Sequence, residues 1–495
     1  MGNKPKKAKR PQPRIPKGLR DLEPEDLVLR RRMIDTVCRV YERYGFTPLE
    51  TPGIEYVDCL GKFLPEADTP AGGIFAFVYD DSEWVALRYD LTAPLARYVA
   101  KNFQELGMPF RRYQTGSVWR LEKPEPGRYR EFTQLDIDIV GAGSMVADAE
   151  VVCVLAEAME ALGIPRGSYE VRLNHRKVLN GLLAKVGCPD DAAPTVLRAL
   201  DKLDKVGPEG VRELCGAGRK DPISGDFTKG AGLDDLQIDP LLAFLAAPAA
   251  DRDAYLASVE ALVGETTEGK AGVVEMRELD AVLTERGFGS DRIVFSPSIV
   301  RGLAYYTGPV VEVVLTFPVE DAGEARSFGS VAGGGRYDDL VARFTGQPVP
   351  ATGASIGVDR LLAALKALGK VEARAGRCPV LVTAIDKKHR ATYQAWATRL
   401  RDAGIPTELY CGGGGVAKQF KYADRRGFTA VVVAGEDEIS QGQVSLKDLR
   451  LGEELSRDAT LAADRKAWLA ELPGQFTCAD EDLVDKVREV LDRYA

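Results

Sequence analysis

Two strand-like runs, FRRYQTGSVWRL at 110–121 and REFTQLDIDIVG at 130–141, flank the charged loop EKPEPGRY. Extended runs joined by a short loop carrying Pro and Gly make an antiparallel hairpin. The fold must therefore contain an antiparallel sheet that accepts this hairpin. In the second run Glu131, Thr133, Asp136 and Asp138 interrupt the apolar residues. A purely structural strand has no need of so many polar groups, so one face of it should line a site. Gln134 and Asp138 are four apart and share a strand face, where an amide and a carboxylate could hold a polar ligand. Arg120, Glu122, Arg128 and Arg130 cluster beside the strands. Arginine runs are often only solvated surface, but guanidinium groups are also the bidentate partners of phosphate. Phe132 offers a flat face to a base.

The pattern around the hairpin is mixed. Pro24, Glu25 and Asp26 begin a helix, with Pro and acids in its first turn. Met33, Ile34, Val37, Val40, Tyr41 and Tyr44 then recur at helical spacing, and Gly45 closes it. WVALRYD reads as a strand and LTAPLARYVAKNF as a helix. From about 185 to 290 the chain turns rich in Ala, Leu and Asp with helical periodicity. Strands return with RIVFSPSIVRGLAYYTGPVVEVVLTF and SFGSVAGGGRYDDLV. After a polar stretch at 366–378, PVLVTAI, KHRATYQAWATRLRDAG, PTELY, VAKQFKYADRRG and TAVVVAG form a βαβαβ pattern, hence a small α/β domain with a largely parallel sheet. A length of 495 residues suggests about three domains.

Composition narrows the chemistry. Only His175 and His389 occur, which leaves little scope for a His-based triad or a His metal cluster. His175 reads as a structural or surface imidazole. Eight cysteines include no CxxC pair, which supports neither a zinc ribbon nor a redox pair and reads as buried free thiols. The net charge of −8 argues against a general nucleic-acid coat but not against a local basic patch. No apolar run reaches the roughly 18 residues of a membrane span. The basic, Pro-rich start, MGNKPKKAKRPQPRIPKG, lacks the apolar segment of a secretory signal. It reads as a tail, with contact to RNA as the sharper alternative. AGGGRYD (332–338) and Gly412–Gly415 fit neither the P-loop nor the G-x-G-x-x-G spacing, and read as flexible turns.

These residues also match a known family. FRRYQTGSVWRLEKPEPGRYREFTQLDIDIVG resembles motif 2 of class II aminoacyl-tRNA synthetases in its histidyl version. PATGASIGVDRL (350–361) resembles motif 3, with Gly353, Gly357 and Arg360 in register. The helix ending at Tyr44, followed by Thr51-Pro52, resembles motif 1, the family's dimer interface. RGLAYYTG (301–308) and SVAGGGRYDDLV (330–341) resemble signatures of histidyl-tRNA synthetases alone. LRYDLTAPLARYVA and ALDKLDKVG are similar to the eukaryotic-type branch that some bacteria carry. YADRRGFTAVVVAGEDE resembles the family's anticodon-binding domain.

The resemblance implies an α+β catalytic domain with an antiparallel class II sheet, a helical insertion and a C-terminal α/β anticodon-binding domain. The expected boundaries are a basic tail over 1–16, the catalytic domain over 17–184 and 291–368, the insertion over 185–290 and the anticodon domain over 376–495. It implies ligation of L-histidine to tRNA(His) through a histidyl-adenylate, with ATP and Mg2+ and no tightly bound protein metal, by a cytoplasmic homodimer without membrane attachment. Arg120 would grip the α-phosphate and the amino-acid carboxylate, and Arg301 would stand at the α-phosphate. Arg128 and Arg360 would hold the outer phosphates. Phe132 and Arg360 would sandwich adenine, with Glu122 at its edge. Asp90, Thr92 and Gln134 would hold the α-amino group. Asp138 and Tyr306 would read the imidazole nitrogens, and Tyr305 would shape the pocket. Ala304 departs from the family's usual Asp and alters the local support of Arg301. The rival reading is a catalytically inactive synthetase-like sensor or regulatory subunit. Regulatory subunits of that kind lack the anticodon domain and often the arginines.

Overall fold

The computed structural model describes residues 11–60, 73–80, 83–121, 123, 128–222, 225–249, 251–300, 306–321, 324–327, 329–368, 378–452 and 474–494. The chain divides into two compact units, residues 1–21 with 30–371 and residues 22–29 with 372–495. Residues 1–10 of the expected tail, and the expected site residues Glu122, Arg301 and Tyr305, lie outside the described residues.

Helix α1 (Pro24–Arg43) carries Glu25 and Asp26 in its first turn. Met33, Val37, Val40 and Tyr41 are buried along one face, as the spacing predicts. Tyr44, just past the helix end, is only half-buried, and its hydroxyl donates to Glu157 Oε1 at 2.6 Å.

The first unit is built on an eight-stranded sheet. In chain order its strands are β1 (Thr47–Pro48), β2 (Phe110–Trp119), β3 (Glu131–Val140), β4 (Tyr169–His175), β5 (Ile293–Phe295), β6 (Pro309–Leu315), β7 (Ser330–Arg336) and β8 (Ala351–Gly357). In space they run β1-β2-β3-β8-β7-β6-β4-β5. The six inner strands pair antiparallel, and β1 and β5 add a parallel strand at each edge. The predicted hairpin is β2–β3, in register from Phe110 opposite Val140 to Trp119 opposite Glu131. AGGGRYD is not a turn. Its glycines lie in β7, an inner strand of the sheet, where they leave room on a face that would otherwise carry side chains.

Helix α2 (Thr92–Lys101) follows the strand-like segment 84–87. Helix α3 (Met145–Ala161) is apolar nearly all round and buried, as a helix enclosed by protein must be. His175 ends β4 and caps α4 (Arg176–Lys185), its Nδ1 accepting from Lys177 N at 3.2 Å. The imidazole is structural, as expected. Beyond α4 lie α5 (Ala193–Leu200), α6 (Leu203–Cys215), α7 (Asp235–Leu245), α8 (Arg252–Val263) and α9 (Thr267–Glu285). A small hairpin, Gly218–Lys220 with Phe227–Lys229, interrupts them. Helices α4 and α9 meet backbone to backbone at glycines: a Cβ on Gly181 would stand 2.5 Å from Gly269 Cα. Gly181 cannot take a side chain without moving the helices apart, and a Cβ on Gly269 would meet Val263 and Thr266 instead. Two shorter helices, α10 (Asp339–Thr345) and α11 (Val358–Ala367), bracket β8.

The second unit contains β9 (Val380–Val382), α12 (Arg390–Asp402), β10 (Thr407–Leu409), α13 (Val416–Arg426) and β11 (Ala430–Val433). These form the expected βαβαβ core, strands parallel in the order β10-β9-β11. The sequence pattern missed its continuation. β12 (Gln443–Asp448) and β13 (Gln475–Ala479) extend the sheet antiparallel, and α14 (Leu483–Asp492) buries Leu483, Val487 and Val490 against it. Gly412–Gly415 is a turn ahead of α13, as read from sequence. All eight cysteines are free, but only Cys153 and Cys215 are buried and Cys411 is exposed, so the buried-thiol reading holds for two of them. No helix among the described residues is long and apolar enough to cross a membrane.

His175 also ties β4 to α9. Its Nε2 stands 2.8 Å from Glu275 Oε2, and Lys177 Nζ reaches the other oxygen. Burial keeps His175 below its ordinary value. The cation that Glu275 answers is therefore Lys177. Burial pushes the Glu275 carboxyl up, but the hydrogen bonds from His175 and Lys177 outweigh it and hold it at about 2. A depressed carboxyl stabilises the fold above its unfolded pKa and loses that contribution as pH falls through the window from 4.5 to about 2. Glu275→Gln should therefore lower the melting temperature at pH 7 by about 2–4 °C, the carboxylate being partly exposed and screened. The gap to wild type should narrow below pH 4.5 in melts recorded across pH.

Candidate active site

Strand alternation sends Phe132, Gln134, Asp136 and Asp138 to one face of β3, and Leu135, Ile137 and Ile139 to the other. The register fixes their neighbours. Arg112, Gln114 and Gly116 on β2 stand opposite Asp138, Asp136 and Gln134. Gly353, Ser355 and Gly357 on β8 stand opposite the same three. On β7, Gly335 and Gly333 face Gly353 and Ser355. The polar residues thus rise from a floor whose other positions are mostly glycine.

The glycines are needed. A Cβ at Gly353 would overlap the Asp138 carboxylate, and one at Gly335 would stand 3.1 Å from the Tyr306 ring. Asp138 and Tyr306 therefore flank the same paired glycines.

At the buried end of the floor lies Arg112, with no exposed surface. Its Nη2 stands 2.7 Å from Asp138 Oδ2 and donates to Leu91 O at 3.0 Å. Tyr337 donates to the other oxygen of Asp138. Burial raises the Asp138 carboxyl, against the pull of Arg112 and Tyr337. Burial likewise pushes Asp136 up to about 7, with Arg112 lowering it and Asp138 and Asp90 raising it. Asp90 is also raised by burial, while the Ala93 amide at 3.0 Å and the Arg120 guanidinium draw it down. Three carboxylates thus share one fully buried guanidinium. This floor favours an incoming cation or N–H donor.

The rim has the opposite sign. A cavity of about 390 Å³ is lined by Arg120, Arg128, Tyr129, Phe132, Gln134, Ser355 and Arg360, among others. Arg120 Nε donates to Tyr89 O at 3.2 Å, and its guanidinium lies 4.4 Å from the Tyr89 ring and 5.2 Å from the Phe132 ring. Stacking of this kind holds a guanidinium in place while leaving most of its donors to a ligand. Asp359 anchors the start of α11, accepting from Thr133 N at 2.7 Å and from Arg20 Nη2 at 2.6 Å. That fixes the neighbouring Arg360 at the rim. A second cavity of about 840 Å³, lined by Tyr306, Arg176, Arg198 and Glu312, meets the first at Arg120 and Gly333. Thr92 stands at the start of α2, two residues beyond Asp90.

Acidic floor and basic rim together suit a zwitterion with a phosphorylated partner beside it. Of the sequence-predicted residues, Arg120, Arg128, Phe132, Gln134 and Arg360 line one cavity. Asp138 lies buried on the same strand face, and Tyr306 lines the adjoining cavity. Sequence reasoning named Asp136 among the polar residues of the strand but gave it no role, and it missed Arg112, Tyr337, Ser355 and Arg20. Counting the hairpin register outward would have placed Arg112 opposite Asp138 and Gln114 opposite Asp136. Nothing local marks Tyr337, Ser355 or Arg20, which arrive from distant strands and segments.

The antiparallel sheet with its parallel edges, and this arginine-rimmed cavity on one face, are those of a class II aminoacyl-tRNA synthetase. Residues 18–361 match the model of the family described as histidyl-tRNA synthetase, and residues 379–463 match an anticodon binding domain. The chain belongs to the histidyl-tRNA synthetase family. It is 50% identical to a histidine–tRNA ligase of Ruegeria pomeroyi over 99% of both chains. It is 49% identical to one of Brucella abortus, over 99% of this chain and 98% of the other. A crystal structure of histidyl-tRNA synthetase from a Nostoc species is similar at 28% identity and a TM-score of 0.72, over 97% of this chain and 100% of that one.

Arg112→Met should destabilise the first unit by about 3–5 kcal/mol, because it leaves buried carboxylates without their cation. A lowered urea midpoint checks this, and an unchanged one would show that the carboxylates are neutral without Arg112.

Proposed function

We propose that the chain ligates L-histidine to tRNA(His) in two steps on this face of the sheet. The histidine carboxylate attacks the α-phosphorus of ATP, the α–β P–O bond breaks and pyrophosphate leaves. A hydroxyl of the tRNA's terminal adenosine then attacks the histidyl carbonyl, and AMP leaves. The observation that carries this reading is the common face of Phe132, Gln134 and Asp138 beside the cavity lined by Arg120, Arg128 and Arg360.

The roles follow from charge. Arg120 and Arg301 spread the charge that develops on the α-phosphate oxygens, and Arg120 also aligns the carboxylate for in-line attack. Fixing both reactants makes the step effectively unimolecular. Arg128 and Arg360 bind the outer phosphates, and ATP enters as its Mg2+ complex. Phe132 and Arg360 take the faces of adenine, and Glu122 takes its edge. Asp90, Thr92 and Gln134 hold the α-amino group, where the carboxylates favour a cation. Asp138 accepts from one imidazole nitrogen, its oxygens held by Arg112 and Tyr337. Tyr306 serves the other nitrogen, and Tyr305 shapes the pocket. An amino acid lacking those nitrogens leaves buried polar groups unpaired, which rejects it by orders of magnitude.

The larger adjoining cavity, with Arg176 and Arg198 on its wall, suits the entry of the tRNA's 3′ end. We take residues 376–495 as the anticodon-binding domain, 185–290 as an insertion acting on the acceptor stem, and 1–16 as a basic tail. We take the working form as a cytoplasmic homodimer joined through the motif 1 region. The inactive sensor reading is disfavoured by Arg120 and Arg360 at one cavity and by the match to an anticodon domain.

Purified protein should catalyse histidine-dependent exchange of labelled pyrophosphate into ATP, and exchange no faster than without histidine would sink the enzyme reading. Arg301→Ala should lower kcat by at least about a hundredfold with little change in the KM for histidine, because its contact tightens in the transition state. A raised KM at constant kcat would assign Arg301 to binding alone.

A further inference from the structure

The Ser355 hydroxyl stands between two polar groups of the floor. Ser355 on β8 is opposite Asp136 on β3, and Gln134 is the next residue along the same face. Gln134 Nε2 donates to Ser355 Oγ at 2.7 Å. Across the strand pair the Ser355 hydroxyl lies beside the Asp136 carboxylate and helps to lower it. Asp136 is 2% exposed, and it lines neither cavity described above, so no ligand there need touch it.

The direction of this chain is set by proton counting. A serine hydroxyl has one proton to donate and lone pairs to offer, and the Gln134 Nε2 group donates into those lone pairs. The Ser355 proton therefore points at Asp136, and its lone pairs face Gln134. The only half of the Gln134 amide that can meet those lone pairs is the NH2. The carbonyl Oε1 is thereby turned away. It is buried and has no hydrogen-bond partner among the described residues. Arg112 supports the charge on Asp136 against Asp138 and Asp90, and a cation arriving at the floor adds to that support.

We infer that Asp136 and Ser355 form a relay that fixes the amide orientation of Gln134, presenting Oε1 to the α-ammonium group of the amino-acid substrate. This rests on the reading above that the floor receives that group. Asp136 and Ser355 are positioning residues, acting through Gln134. Without the Ser355 hydroxyl the amide is free to turn its NH2 toward the ammonium, which replaces attraction by repulsion. An Asn at Asp136 can donate to Ser355 and reverse the relay.

The test compares wild type, Ser355→Ala and Asp136→Asn in pyrophosphate exchange, with 3-(imidazol-4-yl)propionate as competitor. This competitor is histidine without its α-amino group. Both variants should raise the KM for histidine by about tenfold or more, the value of a hydrogen bond to a charged group. The KM for ATP and the inhibition constant of the deaminated analogue should stay within about twofold, since neither uses the amide oxygen. A parallel loss for histidine and analogue would mean that the pair merely shapes the floor, and would overturn the relay. An unchanged histidine KM would overturn it equally. Absence of histidine-dependent exchange in wild type is a different failure, and it removes the site reading itself.

Discussion

One guanidinium organises this site. Arg112 is wholly buried, and Asp90, Asp136 and Asp138 all feel its charge. Removing a carboxylate from water is costly unless a counter-charge and hydrogen bonds replace the solvent. A single arginine can hold Asp138 directly and ease two others, but it cannot neutralise three. The remaining imbalance is a latent affinity for positive charge. The sheet thus stores its preference for a cationic group in the core, where the side chains cannot move aside.

Backbone geometry makes that arrangement possible. Gly353 and Gly335 are opposite each other on β8 and β7. They clear the space that Asp138 and Tyr306 fill, so glycine here is a requirement of volume. The rim is built on another principle. Arg120 is held by aromatic rings and one carbonyl, and Arg360 by the anchoring of Asp359. Floor groups are locked by burial, while the rim guanidinium groups line the cavity. Arg120 and Gly333 also border the larger cavity, so the same guanidinium faces both approaches to the reacting centre.

The hairpin was legible in the sequence because its two runs are adjacent and their period is two. The face shared by Gln134 and Asp138 followed from counting alone. The βαβαβ pattern of the second unit was legible for the same reason, each strand being a short apolar run. The glycines of AGGGRYD were misread as a turn because three consecutive glycines carry no pattern of their own, and only their partners on β6 and β8 make them a strand. Asp138's partners were hidden in different degrees. Arg112 needed only the hairpin register. Tyr337 lies about two hundred residues on, and no local signal links it to Asp138. Ser355 was hidden in plain view, since a small polar residue inside a glycine-rich motif looks like a spacer.

The edges of the large sheet have a consequence for handling the protein. A long antiparallel sheet with open sides offers unpaired N–H and C=O groups to any neighbouring strand, and so invites aggregation. Here the sides end in very short strands parallel to their neighbours, β1 over Thr47–Pro48 and β5 over Ile293–Phe295. Pro48 has no N–H to offer at all. The ten-residue strands that carry the chemistry are therefore not the terminal strands of the sheet, although β1 pairs only Arg112 and Tyr113 of β2. A sheet that must keep a polar, imperfectly neutralised face open to large substrates thus ends in short strands, which lessens edge-to-edge strand addition.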